Sequence, residues 1–147
     1  MASPVPHPGP LGPLWLFFNP IGRVSREPYW LAFALVWAIF AILITVGLRD
    51  MDLSGVNLDE PQSLEMAVAA FVESNPLVPY ALMLFQWVEL ALVIKRLQDR
   101  GLTGFLAIAV FIPGINIAFI VGLGLIPGTP GPNAYGPGPN SRWKRPT

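Results

Sequence analysis

Residues 30–48 read WLAFALVWAIFAILITVGL, nineteen positions whose only polar side chain is Thr45. At 1.5 Å per residue a helix of that length reaches about 28 Å, the hydrocarbon thickness of a bilayer. Eleven of the nineteen are Leu, Ile, Val or Phe. At about −0.3 to −0.6 kcal/mol each, they supply on the order of −3 to −7 kcal/mol of insertion free energy. A core helix of a soluble protein shows polar interruptions within such a length. The stretch predicts a transmembrane helix and sets the expected fold class: all-α, a small multi-span helical bundle in a membrane.

Two further apolar runs follow. Residues 77–94 form the second span, with ten Leu, Ile, Val and Phe residues but also Gln86 and Glu89. A charged carboxylate near the centre of a span costs about 3 kcal/mol. Glu89 lies six residues before Lys95, about 9 Å below that end by helical rise, and a buried carboxyl can stay protonated. Residues 102–126 form the third run, interrupted by Pro113-Gly114 and Asn116. Pro113 removes a helix hydrogen bond and biases Ile112 away from helical angles, so the run is either one kinked span or two half-helices. Each half, at about 17 Å, is too short to cross alone.

Composition agrees with a membrane solvent. Of 147 residues, 53% are hydrophobic and 12% charged, against roughly 25% charged in an ordinary soluble domain. Nine Lys plus Arg balance nine Asp plus Glu, so there is no global basic field to draw the chain to nucleic acid. The absence of cysteine excludes disulfides, thiolate ligands and a cysteine nucleophile, and one histidine, His7, builds no zinc site alone. No motif sets a nucleophile beside a base, and no glycine-rich phosphate loop follows a strand. No enzymatic activity, no cofactor and no metal are expected.

Outside the runs, residues 1–16 read as a proline-rich, disordered or extended arm with no cleavable signal sequence. Residues 17–139 are the membrane domain, and 140–147 a basic tail. In the hydrophilic loop 49–76, Asp59 with Gln62 is placed to cap a short helix whose apolar stripe is Leu64, Ala67, Val68, Phe71 and Val72. That helix lies on the membrane surface or packs on the spans. Nine of the fourteen residues from 127 to 140 are Pro or Gly, so no regular element is expected there.

Orientation follows the basic residues. Arg23 and Arg26 precede the first span and Lys95, Arg96 and Arg100 follow the second, whereas the intervening loop has Arg49 against six acids. The N-terminus and the second connection are thereby assigned to the cytoplasm. Arg142, Lys144 and Arg145 in the tail decide the third run. A single span puts five basic residues inside and four outside; a hairpin turning at Pro113-Gly114 puts eight inside and one outside, and the rule favours the hairpin.

Three motifs flank the runs: Gly22-Arg23-Val24-Ser25-Arg26-Glu27-Pro28-Tyr29-Trp30, Arg96-Leu97-Gln98-Asp99, and Pro127-Gly128-Thr129-Pro130-Gly131-Pro132-Asn133-Ala134-Tyr135-Gly136. The first also reads as a membrane-interface anchor. In this order and spacing the set resembles the domain-of-unknown-function 805 family of small bacterial inner-membrane proteins, over about residues 17–139. The resemblance implies a compact helical protein of the bacterial inner membrane, multi-pass, without an established activity. Gln98 stands where the family pattern usually has His, and Phe105 where it often has Trp. Glutamine does not titrate, so no proton relay operates at that position.

With the hairpin, Arg23, Arg26, Arg96, Asp99, Asn133 and Tyr135 converge at the cytoplasmic mouth of the helices. This polar cluster either locks the tail to the bundle or takes lipid phosphates. Gln86, Glu89, Val93 and Arg96 share one helical face, which is either an intramembrane polar path linked to protons or cations, or a carboxyl near the cytoplasmic edge paired to a lysine or arginine of a neighbouring loop. Ala34 and Ala38, and Ala118 and Gly122, have the spacing that lets helices approach closely, within the chain or in a homo-oligomer. The expected function is non-catalytic, with a basic cytoplasmic face for anionic lipid headgroups or a protein partner. The alternative is a small transporter or channel subunit using Glu89 and the broken third helix.

Overall fold

The computed structural model describes residues 12–49, 51–57 and 59–143. His7, Asp50, Lys144 and Arg145, and residues 1–11 of the proline-rich arm, lie outside the described residues. The described elements are all helical: α1 (Pro13–Phe18), α2 (Arg26–Gly47), α3 (Pro61–Ser74), α4 (Val78–Asp99), a 3-10 helix (Gly104–Phe111) and α5 (Ile115–Leu125). Two of them, α2 and α4, are each 22 residues and apolar enough to cross a membrane. Buried positions make up 11% of the apolar window of α2 and 28% of that of α4. A core helix of a soluble protein buries most of such a window, so these side chains face out rather than in.

The chain divides into two compact units, Met1–Ala34 with Trp87–Thr147, and Leu35–Gln86, the boundaries falling inside α2 and α4. In the Leu35–Gln86 unit, the Thr45 hydroxyl donates to the Ala41 carbonyl at 2.7 Å. The one polar side chain of the first run is thus satisfied within its own helix, as an apolar solvent requires. Helix α3 starts at Pro61 with Glu60 as N-cap and no side-chain cap, which corrects the Asp59 cap. Proline at the first position needs no N–H partner and starts the helix without one. Leu64, Ala67, Val68 and Phe71 of α3 face Ile44, Leu48, Leu53 and Val56 across a cavity of about 250 Å³. Val72 is not in that lining. Phe71 is buried beside Gly47, where an added Cβ would lie 2.7 Å from its ring. In the preceding loop the Ser54 side chain, and second to it the Ser54 N–H, which donates to Asp52 at 3.0 Å, hold that carboxyl below its ordinary value.

The other unit carries the remaining elements. Residues 13–16, assigned to a disordered arm, open α1 instead. Pro13 suits a first helical turn, and the Trp15 indole donates to the Ile21 carbonyl at 2.9 Å, folding the segment back on itself. The third run is neither one straight helix nor two α-helices. Its first half is a 3-10 helix that packs on α5, and the chain turns between them at Gly114, φ +82°. Eight residues at about 2.0 Å and eleven at about 1.5 Å both reach roughly 16 Å, so the two halves match in length despite unequal residue numbers. Both ends return to the last turns of α4. A Cβ on Gly104 would sit 2.9 Å from Ile94, and the Leu123 carbonyl accepts from Arg96 at 2.9 Å.

Candidate functional site

The last turns of α4 are polar in sequence and buried in structure: Lys95, Arg96, Gln98 and Asp99 are all below 9% exposed. Leu97 is buried among them, so residues 95–99 are enclosed on every side of the helix, continuing the core from Leu92. The helix ends in a Schellman arrangement, Leu102 N–H to the Leu97 carbonyl at 2.9 Å and Gly101 N–H to the Gln98 carbonyl at 3.0 Å. Gly101 adopts φ +72°, a conformation that a residue with a Cβ adopts at a cost.

Asp99 is the centre. Its Oδ1 accepts from Arg23 Nε at 3.0 Å and its Oδ2 from Arg96 at 2.6 Å, all three residues at most 1% exposed. Beside it, a Cβ on Gly128 would lie 2.1 Å from Oδ2, so only glycine fits there. Arg23 uses its whole fork: its terminal nitrogens donate to the carbonyls of Gly131, Gly136 and Thr129 and to the Thr129 hydroxyl. Arg96 donates in addition to the carbonyls of Leu123, Val24 and Ile126. Two buried guanidiniums on one carboxylate are thus completed by backbone oxygens, which is what lets such a cluster stay out of water. Among the described residues no buried side-chain nitrogen or oxygen lacks a partner.

The loop after α5 closes over this core. Thr129 donates from both its N–H, at 2.9 Å, and its hydroxyl, at 2.8 Å, to the Asp99 carbonyl. Asn133 Nδ2 donates to the Gln98 carbonyl at 2.8 Å, while Asn133 Oδ1 accepts from the Tyr135 N–H at 2.8 Å. Asn140 and Ser25 exchange two hydrogen bonds, of 2.8 and 3.0 Å, and the Ser141 carbonyl accepts from the Arg23 N–H at 2.7 Å. Residues 140 and 141 therefore belong to the folded domain rather than to a separate tail.

Of the six residues expected to converge, Arg23, Arg96, Asp99 and Asn133 form one hydrogen-bonded group. Tyr135 enters it through its backbone. Arg26 is exposed and reaches only the Leu125 carbonyl, at 3.5 Å. On α4, Gln86 and Glu89 are half-buried and each has an interaction partner. Ala34 and Ala38 are exposed, and a Cβ on Gly122 meets nothing within 4 Å. Within the chain the close approach is at Gly124, where a Cβ would sit 2.3 Å from the Trp30 ring. Neither small-residue pair makes the within-chain approach, since alanine and glycine are frequent in apolar helices generally.

Lys95 was counted only as a cytoplasmic charge, yet it is fully buried. Its ammonium donates to the carbonyls of Trp15, at 2.9 Å, and Leu16, and stands 4.8 Å from the Trp15 ring centre. A cation is favoured at the C-terminal carbonyls of α1, and the ring face adds to that attraction. The end of α5 is served the same way: Tyr29 donates to the carbonyl of Ile120, Trp30 to that of Gly124, and Arg100 to that of Pro127. The arrangement holds chain segments together. Nothing in it sets a nucleophile against a base, and among the described residues no group of three His, Cys, Asp or Glu is placed to hold a metal.

A family model described as "Protein of unknown function (DUF805)" matches residues 17–137. No curated protein and no solved structure matches the chain.

Proposed function

The chain belongs to the DUF805 family, and from that premise we propose a non-catalytic protein of the bacterial inner membrane with a basic, headgroup-binding cytoplasmic face. In this reading α2 and α4 cross the bilayer and the third run enters and leaves on one side. The observation that carries it is the Arg23–Asp99–Arg96 cluster. It joins the segment before α2, the end of α4 and the loop after α5 at a single end of these elements. Charges gathered at one end, with mostly exposed apolar side chains along α2 and α4, suit two spans and a hairpin that share an interface. The hairpin arrangement keeps eight of nine basic residues on that side, the positive-inside pattern.

Arg23 and Arg96 are excluded as headgroup ligands, because their donors are committed inside the protein. Arg26 and Arg100 remain at the surface, exposed and half-exposed, and each basic group near an anionic leaflet contributes about 1 kcal/mol. The topology is tested by a reporter fused after Thr147. A reporter that works only in the cytoplasm is expected to be active, and one active only in the periplasm would overturn the reading. Transport through Glu89 and the Pro113 break needs an oligomer to form a pore, and a monomeric detergent-solubilised particle removes it.

A further inference from the structure

We infer that Arg26 and Arg100 together seat one phosphate group, that of an anionic phospholipid, where the chain leaves α5. The inference rests on the proposed cytoplasmic, headgroup-level placement of this end and names the residues that do the binding.

Arg26 begins α2, and Arg100 follows the end of α4, 74 positions later. Both reach the same three-residue stretch: Arg26 donates to the Leu125 carbonyl and Arg100 to the Pro127 carbonyl, with the intervening Ile126 carbonyl held by Arg96. Each guanidinium has five N–H groups, and these contacts use one nitrogen of each. The remaining donors lie on side chains exposed or half-exposed, and a guanidinium presents its donors in a planar fork that matches phosphate oxygens. Arg23 next to them has no such reserve.

Charge behind the seat acts in the same direction. Arg23 and Arg96, both buried, share Asp99 between them, an excess of one positive charge in a region poor in water. Such an excess favours an anion at the adjoining surface. Glu27, on the same turn as Arg26, is exposed, and the Asp99 carboxylate is taken up by Arg23 and Arg96 rather than by Arg26 or Arg100.

The test places the full chain in nanodiscs of phosphatidylcholine alone and of phosphatidylcholine with phosphatidylglycerol, and counts the phosphatidylglycerol retained on the protein after extraction. The parent is expected to enrich phosphatidylglycerol. Arg26→Gln with Arg100→Gln is expected to lose that preference by about fivefold per arginine, while Arg142→Gln and Glu27→Gln keep it. The pair Arg26→Lys with Arg100→Lys retains charge but not the fork and is expected to fall between. The thermal midpoint in phosphatidylcholine alone checks that the variants remain folded. A parent without any preference overturns the headgroup reading and this site with it. A parent preference that survives the double glutamine change, or that Arg142→Gln abolishes, overturns the site alone. Inorganic phosphate that protects the parent but not the double glutamine variant, with no lipid preference, would assign the seat to free phosphate and overturn the lipid source.

Discussion

At the scale of single residues, Asp99 is the position on which most depends. It is one carboxylate between two buried guanidiniums, at 3.0 and 2.6 Å. Asp99→Asn leaves both cations without their counter-charge, and a loss of about 3–5 kcal/mol is expected, read as a lower unfolding midpoint in a fixed lipid and detergent. Its neighbour Gln98 accepts from the Gly22 N–H at 2.9 Å. The residue implied here by the family resemblance is histidine, and an imidazole nitrogen accepts as an amide oxygen does. In this chain the position contributes a hydrogen-bond acceptor. Arginine and aspartate in ordered motifs were legible from sequence as a cluster. Lys95 and Thr129 were not, because a lysine beside a span reads as a solvated charge and a threonine in a proline-glycine loop reads as a turn residue. Their partners are backbone carbonyls, and carbonyls have no signature in a sequence.

At the scale of elements, the apolar runs announced α2 and α4 to within a few residues, since length and hydrophobicity alone select a span. A break at Pro113-Gly114 is equally plain, but the sequence leaves open whether it kinks one span or turns a hairpin. The 3-10 form of Gly104–Phe111 was not plain, because its apolar residues carry no period that separates three residues per turn from 3.6. Helix α1 was hidden by the prolines before it. The approach of α2 to α5 depends on Gly124, against which the Trp30 ring lies while its indole donates to the Gly124 carbonyl at 3.2 Å. Gly124→Ala must displace that ring and is expected to cost about 1–3 kcal/mol. Gly122→Ala meets open space, and its expected change is neutral to about 1 kcal/mol stabilising, from helix propensity. Unfolding midpoints of the two variants, measured side by side, check the assignment of the contact.

At the scale of the whole molecule, the formal charge of zero conceals a segregation of basic from acidic sequence segments, and the cluster turns part of the basic share into internal structure. A chain ending after Ile126 lacks the oxygens of Thr129, Gly131 and Gly136 that hold the terminal nitrogens of Arg23. Such a chain is expected not to accumulate, as judged by its steady-state amount in membranes. Adding Arg23→Met is expected to restore part of it, because an apolar side chain makes no claim on the missing carbonyls. The same contacts impose an order on biosynthesis. Arg23 is made more than a hundred residues before the loop that completes it, 106 to 113 positions downstream. At about 5–20 residues per second its partners arrive some 5 to 20 seconds later. Throughout that interval the terminal nitrogens of the guanidinium lack these partners and need water, which in the proposed membrane placement holds the start of α2 at the bilayer surface. The loop after α5 is therefore the latch, and a chain not yet grown past it advertises its incompleteness through an arginine still in water.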